Sequence, residues 1–344
     1  MNNVGYTKAH SVTEGKQAVL SGEQSQFLAG GTNLIDLLKY FITSADTLVD
    51  INDLEELKTI HNTPNGGLML GALVSNADTA YHPEIENRYP LLNRAILAGA
   101  SAQIRNMATN GGNLMQRTRC YYFYDIHTAC NKREPGTGCS AIDGYNRIMG
   151  ILGTNENCIA VHPSDMCVAL AALDAVVHVS GPDGDREIGF EDFHRLPGDT
   201  PHLDNNLQKG EIILGISLPP KGFADKYSYL KLRDRNSYAF ALVSVATAFQ
   251  LQGDTIEDAR IALGGVAHKP WRNKEAERYL QGKETSREHF EAAADIILAG
   301  AKGYTHNNFK IELAKRAIVR NCLMALDPAN TQLPGAPPSG TTQK

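Results

Sequence analysis

Apolar positions fall into two rhythms along this chain, with a stretch between them that has neither. Up to about residue 100 they mark short strands and helices in alternation. Ser11 or Thr13 can cap a helix running to about Leu20. Residues 26–29 form a short strand, Gly30 and Gly31 break it, and Thr32 caps a helix that turns Leu34, Ile35, Leu37 and Leu38 toward a core. Residues 47–51 read as the next strand, giving a β-α-β order. Pro64, Asn65, Gly66 and Gly67 then make a turn between two short strands. Ser75 can cap a brief helix, and an apolar helix follows Pro90 over 91–100.

The second rhythm starts at His162. His162, Pro163, Ser164 and Asp165 lead into an alanine-rich helix, followed by a strand at 175–180, a turn at Pro182, Asp183 and Gly184, and a strand at 211–218. The pair Pro219 and Pro220 marks a domain boundary. Beyond it come strands at 227–233, 241–251 and 256–263, then two or three helices between Trp271 and Leu326. The end of the chain, 329–344, is rich in Pro, Gly and Ser and is expected to be disordered. The resulting fold class is α+β.

Composition narrows the function classes. A length of 344 residues suits two or three domains. A formal net charge of −5 without a long Lys/Arg block argues against a nucleic-acid surface. No apolar run approaches the roughly 18 residues that read as a membrane span. The first residues, MNNVGYTKAHSVTEGK, contain no apolar signal core, so no export signal of its own is expected.

The stretch without rhythm carries four cysteines, Cys120, Cys130, Cys139 and Cys158, spaced C-x9-C-x8-C-x18-C. Gly, Pro, Asn and charged residues dominate it, so it buries little apolar surface. A structureless loop of roughly 40 residues needs a function or an anchor. Disulfides require an oxidising compartment; structural zinc favours short C-x2-4-C pairs, which are absent. An iron–sulfur cluster tolerates wider spacing, although the ferredoxin spacings are also missing. All three readings stand on spacing alone. Cys167 and Cys322 lie in apolar, helix-like runs and read as buried free thiols.

Two glycine turns offer a second kind of chemistry. In FLAGGTNL a strand meets a helix start through Gly30 and Gly31, with Thr32 and Asn33 as side-chain donors. Glycines permit close approach of a phosphate, and a helix start presents free N–H groups. In ATNGGNL, Asn110, Gly111, Gly112 and Asn113 follow Thr109 in a similar arrangement. Two such loops could hold one diphosphate from opposite sides. Neither is a Walker loop or a G-x-G-x-x-G fingerprint.

Taken together, FLAGGTNLIDL, GALVSNAD, ASAQIRNMATNGGNL, HPSDM, GEIILGISLP, YLKLRDRNSYAFALVSVA and GGVAHKPWR resemble the FAD-binding subunits of the molybdenum hydroxylases. The cysteine-bearing insertion is similar to that of periplasmic-type aldehyde oxidoreductases and, more distantly, of 4-hydroxybenzoyl-CoA reductase. The resemblance implies a PCMH-type FAD-binding domain of two mixed α/β subdomains over 1–220, with an iron–sulfur insertion at 114–162. A smaller C-terminal domain of antiparallel sheet and helices would occupy 221–328. It places Gln26, Phe27, Leu28, Ala29, Gly30, Gly31, Thr32, Asn33 and Leu34 around the FAD diphosphate. Thr109, Gly112 and Asn113 would form the opposing loop, Asp165 would contact the cofactor, and Ile213 and Lys231 would flank the isoalloxazine. It assigns Cys120, Cys130, Cys139 and Cys158 to a [4Fe–4S] cluster.

By the same resemblance the partners are a large molybdenum-cofactor subunit and a small subunit with two [2Fe–2S] centres, with electrons leaving for an external acceptor. No nucleic acid or membrane enters this picture, and no catalytic residue is expected on this chain. His268 and Arg272 are expected to be structural. The compartment would be the bacterial cytoplasm, or the periplasm if a signal-bearing partner carries the folded chain across. The rival readings are a non-redox scaffold with a zinc-pinned loop and a self-sufficient FAD oxidoreductase.

Overall fold

Strand β1 (Gly5–Lys8) pairs in parallel with β3 (Thr47–Asp50), which pairs in parallel with β2 (Gln26–Leu28). This order, β1-β3-β2, is that of a small α/β layer. The crossover helix Val12–Ser21 starts where Ser11 accepts a hydrogen bond from the N–H of Glu14, and it packs Val19 beside Val49 and Ile51. The computed structural model describes residues 2–236 and 238–329. The end expected to be disordered lies, apart from its first residue, outside the described residues.

A second layer is a five-stranded antiparallel sheet of order β4-β5-β8-β6-β7. It comprises β4 (Ile60–Asn62), β5 (Leu68–Gly71), β6 (Val176–Gly181), β7 (Gly184–Gly189) and β8 (Ile212–Leu218). Helices Pro90–Ala98 and Asp165–Ala172 share its main core with Leu70, Val177 and Ile216. All eight residues of Asp165–Ala172 are buried, because this helix also faces the next sheet. A helix that is apolar all round belongs inside a protein.

The third layer is an antiparallel sheet of order β12-β11-β10-β9. Its strands are β9 (Tyr227–Leu232), β10 (Val243–Gln252), β11 (Thr255–Gly264) and β12 (Trp271–Arg272). Helices Lys274–Leu280, Arg287–Ile297 and Phe309–Leu326 cover one face, where Phe249 stacks on Phe290 at 5.7 Å between ring centroids. Among the described residues no helix is long and apolar enough to cross a membrane.

One local expectation needs correction, and two strands were not expected. The helix after the first glycine turn, Leu34–Lys39, has Asn33 rather than Thr32 at its N-cap position, and no side chain caps it. Strand β1 is exposed at every position, and β7 buries only Ile188, so neither shows the apolar alternation by which a strand is recognised. Both are edge strands, recruited by backbone pairing rather than by burial.

Candidate functional site: a two-part groove beside a four-cysteine cavity

The two glycine turns face each other. Gly30 approaches the second turn so closely that a Cβ there would sit 1.8 Å from the carbonyl oxygen of Met107. Gly31 adopts φ +70°, a left-handed conformation that favours glycine. Between the turns runs a groove in two halves. The wide half, about 530 Å³, is lined by Gln26, Phe27, Ala29, Thr109, Ile213 and Arg117 among others. The narrow half, about 270 Å³, is lined by Asp36, Asn113, Arg119, Asp165, Lys231 and Phe240 among others. The halves meet at Thr32, Asn33 and Gly112, which line both.

Most expected residues gather here, with two exceptions to the expected geometry. Of residues 26–34, Leu28 alone does not line the groove; its side chain packs instead against the small core around Leu38 and Leu48. Strand alternation explains this, since neighbours on a strand point to opposite faces. Ile213 and Lys231 do not flank one spot, because Ile213 lies in the wide half and Lys231 in the narrow half.

Several of the polar groups already have partners. The Thr109 hydroxyl accepts the N–H of Gly112 and so caps the helix Asn110–Met115. Asn113 donates to Asn76 Oδ1 at 2.7 Å and accepts from the Ser164 hydroxyl. Asp165 accepts from Tyr229 at 2.6 Å and from Lys231 Nζ at 2.8 Å, an ion pair in which both side chains are buried. Burial and then the Asp165 carboxylate push the Tyr229 phenol up, so it stays a donor. Asn33 lines both halves, and its Oδ1 accepts the N–H of Arg117 at 2.9 Å, while its Nδ2 is buried away from the groove, beside the Tyr124 hydroxyl.

The four cysteines line a single small cavity with Phe123, Lys132, Ala141 and Ala160. Cys120 is the N-cap residue of the one-turn helix Tyr121–Tyr124, and Cys130 and Cys139 face each other across an isolated β-bridge. All six cysteines are free. Burial pushes the Cys120 thiol up to about 12. A hydrogen bond with Cys158 pulls the Cys139 thiol down and pushes its partner up. A bound cation would favour the thiolate at all four positions.

Polar side chains shape the surrounding segment. Asn131 Oδ1 accepts the N–H groups of Gly136 and Gly138, and the Arg133 guanidinium donates to the carbonyls of Tyr122, Phe123 and Thr128. From the C-terminal layer, Asn307 donates to the carbonyls of Met149 and Gly150, and Lys310 Nζ reaches those of Met149 and Gly265.

A third cluster was not anticipated as a group. His162, Cys167 and His194 bring ligand-type atoms within 4.8 Å of one another, fully inside the protein. It is the one set of three such donors that close among the described residues; the four cavity cysteines are more widely spaced. Burial holds both imidazoles well below their usual pKa and therefore neutral, at about 4 for His194. The two rings lie 4.2 Å apart, and one accessible signal, the apolar context of Cys167, pointed only to burial. Arg272 pairs with Glu277 and Asp174 and does not line the groove.

Known structures share this arrangement of layers. Quinoline 2-oxidoreductase from Pseudomonas putida 86 superposes with a TM-score of 0.73, at 23% identity, covering 95% of this chain and 98% of that one. A carbon monoxide dehydrogenase chain from Hydrogenophaga pseudoflava gives 0.74 at 24% identity, covering 94% and 97%. These likenesses define the fold. The model of the FAD binding domain in molybdopterin dehydrogenase matches residues 2–221, and that of the CO dehydrogenase flavoprotein C-terminal domain matches 227–324. The aldehyde oxidoreductase FAD-binding subunit PaoB of Escherichia coli K12 is 48% identical over 307 residues, 88% of this chain and 92% of its own length. The glyceraldehyde dehydrogenase medium chain of Sulfolobus acidocaldarius is 30% identical, with 81% of each chain covered. The chain belongs to the FAD-binding subunits of the molybdenum hydroxylase family and is an oxidoreductase subunit.

Proposed function

We propose that this chain is the FAD- and [4Fe–4S]-carrying electron-transfer subunit of a heterotrimeric, molybdenum-dependent aldehyde oxidoreductase. A large molybdenum subunit would hold the substrate, and a small subunit with two [2Fe–2S] centres would pass electrons to this chain and on to an external acceptor. The observation that carries the reading is a groove whose two halves meet between two facing glycine turns, so close that a Cβ at Gly30 would strike the Met107 carbonyl oxygen. A dinucleotide has that shape, with its diphosphate at the middle. The name of the 48% identical relative supports the aldehyde class.

FAD would supply exchange between paired and single electrons; the protein supplies binding and electrostatics. Gly30, Gly31 and Gly112, which line the groove, would let the backbone approach the diphosphate. Lys231, held by Asp165 and by the Ala98 carbonyl at 3.0 Å, brings a fixed positive charge suited to the carbonyl-bearing end of an isoalloxazine in the narrow half. The uncharged wall of Phe27, Leu34 and Ile213 suits an adenine in the wide half. The four cysteines, lining one cavity, supply the number of thiolates that a cubane takes.

Visible absorption and metal analysis of the full chain, purified anaerobically with whatever co-purifies, test this. The expected result is a flavin band over a broad brown shoulder, two further subunits by mass spectrometry, and about eight irons per complex, four from this chain and four from the two [2Fe–2S] centres. A colourless protein with one zinc would support the scaffold reading. Aldehyde turnover by the chain without partners would support the self-sufficient enzyme.

A further inference from the structure

The groove and the cysteine cavity are built from one short run of chain. Gln116 and Arg119 line the narrow half, Arg117 lines the wide half, and Cys120 lines the cysteine cavity. The backbone N–H of Arg117 holds Asn33 Oδ1, and Asn33 lines both halves of the groove.

Two side-chain links reinforce this run. Asp204 is gripped from both sides: its Oδ2 accepts from Arg117 Nε and its Oδ1 from Lys132 Nζ, each at 2.6 Å. Lys132 lines the cysteine cavity, and the Arg117 guanidinium lies 4.7 Å over the ring of Phe123, which lines it too. Against the cost of burial, these two cations hold the Asp204 carboxyl down at about 2. Separately, Tyr124 ends the one-turn helix that begins at Cys120, and its hydroxyl donates to Asp36 Oδ2 at 3.1 Å; Asp36 lines the narrow half.

We propose that cluster occupancy and FAD affinity are coupled through the Arg117–Asp204–Lys132 clamp and the Tyr124–Asp36 bond, with Arg117, Asp204 and Tyr124 as positioning residues for the flavin groove. This rests on the cofactor reading above. The cysteine segment has little regular structure of its own, so thiolate ligation supplies much of its order. That order fixes Arg117 and Tyr124, which in turn fix Asn33 and Asp36. Linkage requires the reverse effect as well: bound FAD strengthens retention of iron by the same factor. The cluster therefore serves FAD binding even without carrying electrons.

The test uses the full chain with its co-purifying subunits. FAD is titrated by flavin fluorescence before and after anaerobic iron chelation, with iron counted in each state. The loaded form is expected to bind FAD about tenfold more tightly than the depleted form, a factor typical of coupled sites. In Tyr124→Phe, the loaded complex should keep about eight irons, four of them on this chain, while FAD affinity falls severalfold and the loaded-to-depleted ratio narrows. Equal FAD affinity in the two iron states, with about eight irons in the loaded complex, overturns the coupling and leaves the cofactor reading intact. A Tyr124→Phe protein with unchanged affinity and ratio removes the Tyr124 route. A chain that takes up FAD and never iron overturns both the coupling and the cluster reading.

Discussion

The flavin groove and the cysteine segment lie side by side, yet different physics holds each in place. The groove walls are regular elements, β2, the helix Leu34–Lys39 and the helix Asn110–Met115, backed by apolar cores and joined through glycines. The cysteine segment between Gln116 and Pro163 has one helical turn and a core of which three members are the cysteines Cys120, Cys130 and Cys158. Its shape comes from amide and guanidinium side chains bonded to backbone carbonyls and N–H groups. Burial alone can specify the groove. The segment needs its polar anchors and a bridging ligand.

Breaking the bridge should have the largest effect. Cys139→Ser is expected to remove the iron and to cost about 4 kcal/mol or more of stability, the scale of losing a metal site. Iron analysis and thermal unfolding would measure both losses. In the complex, iron should fall from about eight to the four of the two [2Fe–2S] centres, and retention of all eight would contradict the ligand assignment. Hydrogen exchange should place the loss within residues 117–160, leaving β9, β10 and β11 protected.

On the groove side the sharpest change is Gly30→Ala. Its Cβ would meet the backbone oxygen of Met107 at 1.8 Å, and backbone cannot swing aside as a side chain can. The two turns must then separate, at a cost of about 2 kcal/mol by analogy with overpacking. FAD affinity should fall at least tenfold with iron content unchanged. A crystal structure or titration showing an intact groove would mean that the turns are not in register with the ligand.

Between these in location, and smaller in effect, is Asn307→Ala. Asn307 is fully buried and ties the carbonyls of Met149 and Gly150 to the C-terminal layer. Lys310 would still hold the Met149 carbonyl, so leaving that of Gly150 unpaired should cost about 1 kcal/mol. Urea unfolding would show it, and FAD affinity should move little if the groove is held independently.

The same contrast explains what the sequence could show. The three layers were legible because their elements carry apolar runs, as in β10, where the first seven positions are buried on both faces, or as in Asp165–Ala172, where all seven residues after the aspartate are apolar. The glycine turns were legible because glycine marks close approach. The anchors of the cysteine segment were not, since Asn131, Asn146, Asn307 and Lys310 each bond a backbone group far away in sequence and follow no period. Nor could the chain alone reveal that Thr109 and Asn113, expected in the opposing loop, already have partners. Separation of Ile213 from Lys231 belongs to the same class, because it depends on how two sheets pack.

Acid should sharpen the comparison with the smallest perturbation. His194 and His268 are buried, and burial, the largest cause in each, depresses them to about 4 and about 3. Unfolded, each has a pKa of about 6.5. Between those limits the unfolded chain takes up protons that the native protein refuses, so native stability is full above about 6.5 and falls as pH drops toward 4. Asp204 acts in a lower window, from about 3.9 in the unfolded chain down to about 2, and leaves the upper range to the histidines. His194→Gln can keep the bond to the Leu114 carbonyl, now 2.9 Å from His194 Nε2, through its amide N–H while removing the titration. It should flatten the decline by roughly 1 kcal/mol per pH unit below about 6. Urea unfolding at pH 7, 5.5 and 4.5 would measure the slope; an unchanged slope would mean that His194 is already protonated in the native protein.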